Sequence, residues 1–275
     1  MRYTTSAPLP FMGQKRRWVN DLVALLSDAT EPTTVVDVFG GSGLLSRLAK
    51  DLYPSAHVIY NDHDNYTDRL HHIEDTERLR QEIVQILDPV KCNARVPDHL
   101  KERILQTVRA HDVRYSYVDW LTLSTWVLFT GGYARSIDEL ARKTLYNSPS
   151  RTALAGADAS ARYLQGLDIV STDWRVLLEE YRDNKNVLYI VDPPYLGTSL
   201  DGYAGRVWTC NDYIDLATSI PNESVLYFTS EKFDFIPAFR RVAPSHVLSV
   251  SSTIKRISRI SGSGLYNHEL LYYRL

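Results

Sequence analysis

The stretch VLYIVDPPY, residues 187–195, decides the reading of this chain. Residues 187–192 are apolar but for the final carboxylate, and branched side chains dominate. Such a run is the composition of a buried strand in a parallel sheet. It stops at Pro193 and Pro194, neither of which has an N–H to donate to a ladder. The ring of Tyr195 follows at once. A carboxylate, a rigid pair of prolines and an aromatic ring are therefore presented at the carboxyl end of a central strand. That is where open α/β sheets bind ligands.

An Asp-Pro pair alone is a common way to end a strand in a turn. The full tetrad after an apolar run carries more. The residue before a proline is held extended and successive prolines fix φ, so the Pro193 carbonyl is held in place beside the Asp192 carboxylate. Two acceptors aimed at one amino group would localise its lone pair. The exocyclic amine of a nucleobase, a poor nucleophile through delocalisation, is the group that needs this. Tyr195 offers a stacking face for a base taken out of a duplex.

Bulk properties bound the alternatives. The chain has 275 residues, 44% hydrophobic and 23% charged, with a formal net charge of −2. Length and composition fit one large globular domain, or a domain carrying an insertion. No apolar run reaches membrane-spanning length and residues 1–10 do not read as a signal peptide, so no membrane partner is expected. Cys92 and Cys210 have neither disulfide nor metal-ligand spacing; two packed thiols in a reducing, cytoplasmic setting, with no metal site, are expected. The slight negative charge excludes a global positive field, so any DNA contact must come from local basic clusters.

Two strand-and-turn units frame the chain. Residues 35–39 (VVDVF) read as a strand, followed by GGSG and a helix with Leu44, Leu45, Leu48 and Leu52 on one side. Gly40, Gly41 and Gly43 let the backbone bend sharply and approach a ligand closely. The dinucleotide fingerprint is incomplete, which disfavours redox chemistry. A second strand over 57–60 ends in Asn61 and Asp62. Asp62 lies roughly 20 residues beyond the glycine turn, where an acid commonly holds ribose hydroxyls. Turn and carboxylate together point to an adenosine-containing ligand. Upstream, PFMGQKRRW (residues 10–18) sets a glycine before three cations and leads into a helix over 19–26.

Between 65 and 165 the strand-helix alternation lapses. Helices are expected over 70–87, 99–110 and 137–145, with a buried apolar run over 118–129, a break at Gly131 and Gly132, and a loop over 147–151. About 100 residues are too many for a connection, so an inserted subdomain is expected. Its cations, including Arg135, Arg142, Lys143 and Arg151, suit phosphates or a solvated helix face equally. Sheet rhythm resumes over 167–171. Asp173 follows, placed either to reach the ligand crevice or to cap the helix over 174–181. After the DPPY stretch come a glycine- and aromatic-rich loop, a helix to 220 capped by Asn211 or Asp212, a strand over 224–229, a helix over 233–241 and a strand over 246–250. Residues 251–264 are basic and flexible in composition, and 268–274 closes as a strand. A hairpin around Lys255, Arg256 and Arg259 is the phosphate-contact candidate outside the insertion.

The order of these parts resembles the Dam-type (alpha-group, D12 class) adenine-N6 DNA methyltransferases. PFMGQKR (10–16) is similar to the family's N-terminal motif, with Gln14 where a second glycine is usual. DVFGGSG (37–43) matches the cofactor-binding glycine motif, YND (60–62) the ribose-binding acid, and STDW (171–174) the segment whose acid contacts the cofactor adenine. VDPPY (191–195) matches the catalytic motif, and KRISRISG (255–262) with HELLYY resembles the C-terminal hairpin. The resemblance implies an α/β fold with a Rossmann-like, mostly parallel sheet and an antiparallel C-terminal strand. It implies a catalytic domain of residues 1–64 and 166–275, and an inserted, mainly helical target-recognition subdomain of residues 65–165.

It further implies S-adenosylmethionine as methyl donor and double-stranded DNA as partner, with the target adenine flipped out. Asp192 and the Pro193 carbonyl would bind the N6 amine, with Pro194 holding the turn and Tyr195 stacking on the ring. Phe11, Gly13, Phe39, Gly40, Gly41 and Gly43 would line the donor, with Lys15 and Asp37 at its amino-acid end, Asp62 at the ribose and Asp173 at the adenine amine. Arg16, Arg142, Lys143, Lys255, Arg256 and Arg259 would meet DNA. Neither cysteine has the Pro-Cys context that a cytosine-C5 nucleophile requires. Methylation of another planar amine (cytosine N4 or a protein glutamine) is the alternative, though Asp ahead of the prolines favours adenine. A non-catalytic module that binds the donor or DNA is a third; the intact Asp192 and Tyr195 and the weak basic charge argue against it.

Overall fold

The computed structural model describes residues 3–129, 132–148, 153–195, 208–242, 250, 252–259 and 266–275. The loop expected after the DPPY stretch falls largely outside these residues, as do Gly131, Arg151 and nearly all of the strand expected over 246–250. The chain forms two compact units. One comprises Met1–Ser6, Gln14–Asp64 and Gly166–Leu275, the other Ala7–Gly13 and Asn65–Gln165.

The first unit is a seven-stranded sheet between two apolar layers. Its strands are β1 (Thr34–Asp37), β2 (His57–Asn61), β3 (Asp168–Val170), β4 (Val187–Val191), β5 (Ser224–Ser230), β6 (Ser252–Arg259) and β7 (Tyr266–Arg274). They lie in the order β3-β2-β1-β4-β5-β7-β6. The pairs from β3 to β5 are parallel, while β7 runs antiparallel to both β5 and β6. Strand order therefore steps outward from β1 to β3, then reverses to β4 and β5. The reversal leaves β1 and β4 as neighbours, and the crevice outside such a switch point is the ligand site of an open α/β sheet.

Alternation along each strand builds both layers. Val36, Ile59, Tyr189, Val191, Val225 and Tyr227 face one side and pack on Leu177, Leu178 and Leu216. Val35, Val58, Leu188, Ile190, Leu226 and Phe228 face the other, against Trp18, Leu22, Leu26, Leu44 and Leu48. Every residue of β4 is buried, as its unbroken apolar run requires. The β3 strand is shorter than expected and half-exposed, as an edge strand can be.

The basic segment near the C-terminus agrees with the hairpin expected around Lys255, Arg256 and Arg259, and residues 252–259 of it are strand despite their flexible composition. Lys255, Arg256 and Arg259 lie within β6, paired to β7 along its length, and not in a loop. Ile254 supplies the physical reason, since it packs against the second apolar layer and fixes the register of the strand. The helix after the DPPY stretch, Cys210–Ser219, is capped one turn earlier than expected. Thr209 is its N-cap, and Asp212 closes a reciprocal capping box with it. The helix expected over 233–241 is instead a short 3-10 turn, Glu231–Phe233, followed by the helix Ile236–Val242. Both cysteines are exposed, not packed, because neither falls on an inward face of its segment.

The second unit is helical around a core of Leu79, Ile83, Leu100, Ile104, Trp126 and Leu140. The helix expected over 70–87 is two, Tyr66–His71 and Ile73–Leu87, broken at His72. The short segment Ala7–Gly13 joins this unit because the buried Tyr66 hydroxyl accepts from the Leu9 amide (2.9 Å) and donates to the Leu9 carbonyl (3.1 Å). The apolar run over 118–129 forms the helix Trp120–Val127, capped by Asp119, but Phe129 at its end is exposed. Among the described residues no helix is long and apolar enough to cross a membrane.

The turn after β1 is tight enough to predict a cost for filling it. A Cβ built on Gly40 would stand 2.3 Å from the ring of the fully buried Tyr60 and 2.9 Å from the Asn61 carbonyl. Gly40→Ala should therefore destabilise the protein by about 1–3 kcal/mol in urea unfolding, the usual cost of overpacking. A variant as stable as the parent would show that the turn can open without penalty.

Candidate active site

A buried and a partly buried carboxylate stand at the ends of the two strands that flank the switch point. Asp37 closes β1 opposite Ile190 in the parallel register, and Asp192 follows β4 directly. Asp37 is 1% exposed. Its Oδ2 accepts from the Ser46 hydroxyl at 2.5 Å, while its Oδ1 has no hydrogen-bond partner among the described residues. Burial pushes this carboxyl up to about 7, with the nearby Asp192 adding to the rise and the Ser46 bond opposing it. Such a buried oxygen without a partner is costly. It marks a place built for a cation or a hydrogen-bond donor.

Asp192 is held from two sides. Its Oδ2 pairs with the Lys15 ammonium at 2.6 Å, and its Oδ1 accepts a long bond of 3.4 Å from the Tyr195 hydroxyl. The Lys15 ammonium also lies 5.3 Å from the centre of the Tyr195 ring and 5.5 Å from that of Phe228. Burial raises the Asp192 carboxyl above its ordinary range, and Lys15 only partly counters this. Lys15 itself is 4% exposed. Lys15 thus meets the carboxylate of the DPPY stretch. Each carboxylate oxygen offers two lone pairs, so these contacts leave room to accept an amino group as well.

The glycine turn approaches β2 closely. Gly41 and Gly43 both have positive φ, at 50° and 70°, the left-handed backbone that glycine adopts without strain. Gln14, where a second glycine was expected, reaches Ser42 of this turn at 3.4 Å. Tyr60 ties turn to acid, because its hydroxyl contacts the Gly41 carbonyl (2.8 Å) and Asp62 Oδ1 (3.1 Å). Asp62 is buried, and its amide donates to Val170 of β3.

One side chain that the sequence reading passed over knits three strand ends together. The Asn61 amide donates to the Val38 carbonyl (2.9 Å) and the Thr172 carbonyl (3.1 Å), and its Oδ1 accepts from the Thr172 amide (3.0 Å). It thereby places Asp62 and Asp173 on one rim. Asp173 caps the helix Trp174–Glu180 by accepting from the Arg175 amide at 2.8 Å. Its other oxygen lies 3.7 Å from the Arg175 guanidinium. Phe39, Trp174 and Trp208 form an aromatic group beside it, Trp208 lying 5.4 Å from Phe39 and 6.0 Å from Trp174.

The remaining expected site residues are divided between the two compact units. Phe11 and Gly13 belong to the second compact unit, where Phe11 meets Tyr66 edge-on and Gly13 takes a φ of 76°. Arg142 and Lys143 end a short helix of that unit. In the first unit Arg16 is exposed in a 3-10 turn. Lys255 pairs with Glu231, and Arg256 pairs with Asp21 while standing over the Trp18 ring. Arg259 ends β6.

Comparison with known proteins extends this geometry. The profile of the D12 class N6 adenine-specific DNA methyltransferases matches residues 11–232. A Haemophilus influenzae protein provisionally named a methyltransferase is 34% identical over 278 residues, covering 97% of this chain and 91% of that one. Among solved structures, the rRNA methyltransferase aviRa from Streptomyces viridochromogenes aligns with 93% of this chain and 82% of its own at 14% identity, with a TM-score of 0.33. With the family profile spanning most of its length and the sheet carrying DPPY at the switch point, this chain belongs to the D12 class N6 adenine-specific DNA methyltransferase family.

Proposed function

We propose that the enzyme transfers a methyl group from S-adenosylmethionine to N6 of an adenine extruded from double-stranded DNA, with both reactants held at the β1/β4 switch point. The carrying observation is the placing of two acids on adjacent strand ends, Asp37 buried and Asp192 partly buried, each raised above its ordinary range by loss of water. Asp192 and the Pro193 carbonyl accept the two N–H bonds of the amine, which returns its lone pair to nitrogen. Pro194 holds the turn, and Tyr195 provides the stacking face. The amine proton leaves after transfer, and no enzyme nucleophile takes part.

The residues of β1, β2 and the turn fit the donor. The unsatisfied Asp37 Oδ1 matches an ammonium group, and Asp62 at the end of β2 matches ribose hydroxyls. The left-handed Gly41 and Gly43, with Gly40, let backbone approach the ligand, and Phe39 and Asp173 border the adenine end. When bound, the donor supplies an electrophilic methyl on a sulfonium centre. Lys15, at the donor's amino-acid end, also meets Asp192, and its ammonium favours the ionised carboxylate and turns it toward the base.

Arg16, Lys255, Arg256 and Arg259 contact phosphates from the first unit, and Arg142 and Lys143 do so from the second, which reads the target sequence. Exposed ion pairs such as Lys255 with Glu231 are weak and exchange readily for phosphate. DNA affinity should accordingly fall with salt. A cytoplasmic setting fits this substrate.

The direct test incubates the protein with isotope-labelled S-adenosylmethionine and unmethylated duplex DNA, followed by nucleoside analysis. Label in N6-methyladenine, abolished by Asp192→Asn with donor binding retained, is expected. Label in N4-methylcytosine or protein, or full activity of Asp192→Asn, would overturn the assignment.

Two pH dependences follow from the two acids. Asp37 is raised in the folded state from 3.8 to about 7, so the free protein loses stability as pH rises through that window. Donor affinity moves the opposite way, rising with pH through about 7 as Asp37 ionises to meet the ammonium. Titration calorimetry of Asp37→Asn should show a weaker affinity that no longer rises; an unchanged profile would remove Asp37 from the donor site. For Asp192, kcat should fall on acidification as the carboxylate takes up a proton. Lys15→Met should move this acid limb to higher pH, because the partner that opposes burial is gone. A limb that stays in place would show that Lys15 does not tune Asp192.

A further inference from the structure

Pro193 and Pro194 bring no backbone N–H to the turn that carries the reacting groups, and β4 has ended at Val191. Asp192 and Pro193 each precede a proline and are held extended, but Pro194 precedes Tyr195 and its ψ is free, so the rings alone do not set where the Pro194 carbonyl points. The structure provides a clamp from the neighbouring helix. The Tyr213 hydroxyl, from the helix Cys210–Ser219, donates to the Pro194 carbonyl.

Tyr213 has little freedom of its own. It is buried, and its ring meets Trp208 edge-on at 5.1 Å and Phe235 at 5.7 Å. The helix that bears it is fixed at its first turn. The Asp212 carboxylate accepts from the Thr209 amide (2.9 Å) and hydroxyl (2.7 Å). The other oxygen of Asp212 pairs with Arg175 at 3.0 Å. Asp212 is itself buried, so this charge is held by its partners and not by water. Arg175 belongs to the helix capped by Asp173 and lies flat on Trp174, 4.2 Å from the ring centre. A chain of contacts therefore runs from the Asp173 rim through Arg175 and Asp212 to Tyr213 and Pro194.

We infer that Tyr213 is a positioning residue for methyl transfer, its hydroxyl holding the Pro194 carbonyl so that the Asp192–Pro193 acceptor pair is aimed before the base arrives. The inference rests on the proposed role of that pair. It extends the role to a residue outside the DPPY stretch. A Pro194–Tyr195 peptide plane free to rotate would let the turn that carries the acceptors shift, and misplacement by about 1 Å can cost on the order of 100-fold in rate.

Tyr213→Phe removes the hydroxyl and keeps the ring. The single-turnover rate of transfer to duplex DNA should fall about 10- to 100-fold. The KM values for DNA and S-adenosylmethionine should hold, as should the thermal midpoint. Tyr213→Leu, which also empties the space between Trp208 and Phe235, sets the scale for lost packing. If Tyr213→Phe transfers at the parental rate, the inference fails. It fails equally if Tyr213→Phe loses as much stability as Tyr213→Leu, since the hydroxyl would then act on folding. Asp192→Asn, run alongside, separates the two levels: its full activity refutes the acceptor pair itself, whereas an inactive Asp192→Asn beside a fully active Tyr213→Phe refutes the clamp alone.

Discussion

The architecture depends on drawing two like charges out of water side by side, Asp37 wholly and Asp192 in part. Asp37 and Asp192 sit on neighbouring parallel strands, and each is pushed toward its neutral form by burial. Hydrophobic residues at these positions would be cheaper to fold. The fold instead tolerates the pair by distributing compensation unevenly. Asp192 receives a full cation from Lys15, while Asp37 receives no cation, its Oδ2 accepting from the Ser46 hydroxyl and its Oδ1 having no hydrogen-bond partner among the described residues. The free enzyme is thus satisfied on the side where the base amine would be gripped. It is left wanting a donor or a cation on the side where the methyl donor would bind. Perturbed acids arranged in this way are a common mark of working sites.

The apolar layers give this asymmetry its rigidity. Strands β1 and β4 are covered on both faces, so their ends cannot drift independently. The loops beyond them are then tied by polar contacts of unusual economy. Asn61 alone serves Val38 and Thr172, joining the ends of three strands. Tyr60, fully buried, links the glycine turn to Asp62. Rigid strands with short, well-tethered loops hold reacting groups in place before substrate arrives, and preorganisation of this kind is where much of an enzyme's rate advantage lies.

What the sequence conveys follows from which interactions are local. Strands 187–191 and 57–61 are legible because unbroken apolar runs next to glycine or proline have few other structures open to them. The glycine turn and the DPPY tetrad are legible because their backbone demands restrict the residues allowed. By contrast, the partner of Lys15 is more than a hundred residues away in the chain and is set by the neighbourhood of β1 and β4, so nothing in the motif around Lys15 points to it. Tyr213 and Asn61 carry no pattern of their own; their significance lies in which carbonyls they meet. The basic C-terminal segment is legible in part, as a hairpin. Its serines and glycines read as flexible, whereas a single inward residue, Ile254, joins it to the core as a strand. His72 divides a helix that periodicity alone would have run through.

The central claim is that the two acids share one crevice and feel one another. Titration of the Asp37 side-chain carboxyl by carbon-detected magnetic resonance, in the parent and in Asp192→Asn, measures this directly. The account predicts a midpoint near 7 in the parent and a lower one once the charge at Asp192 is removed. A midpoint in the ordinary carboxylate range, unmoved by Asp192→Asn, would contradict it.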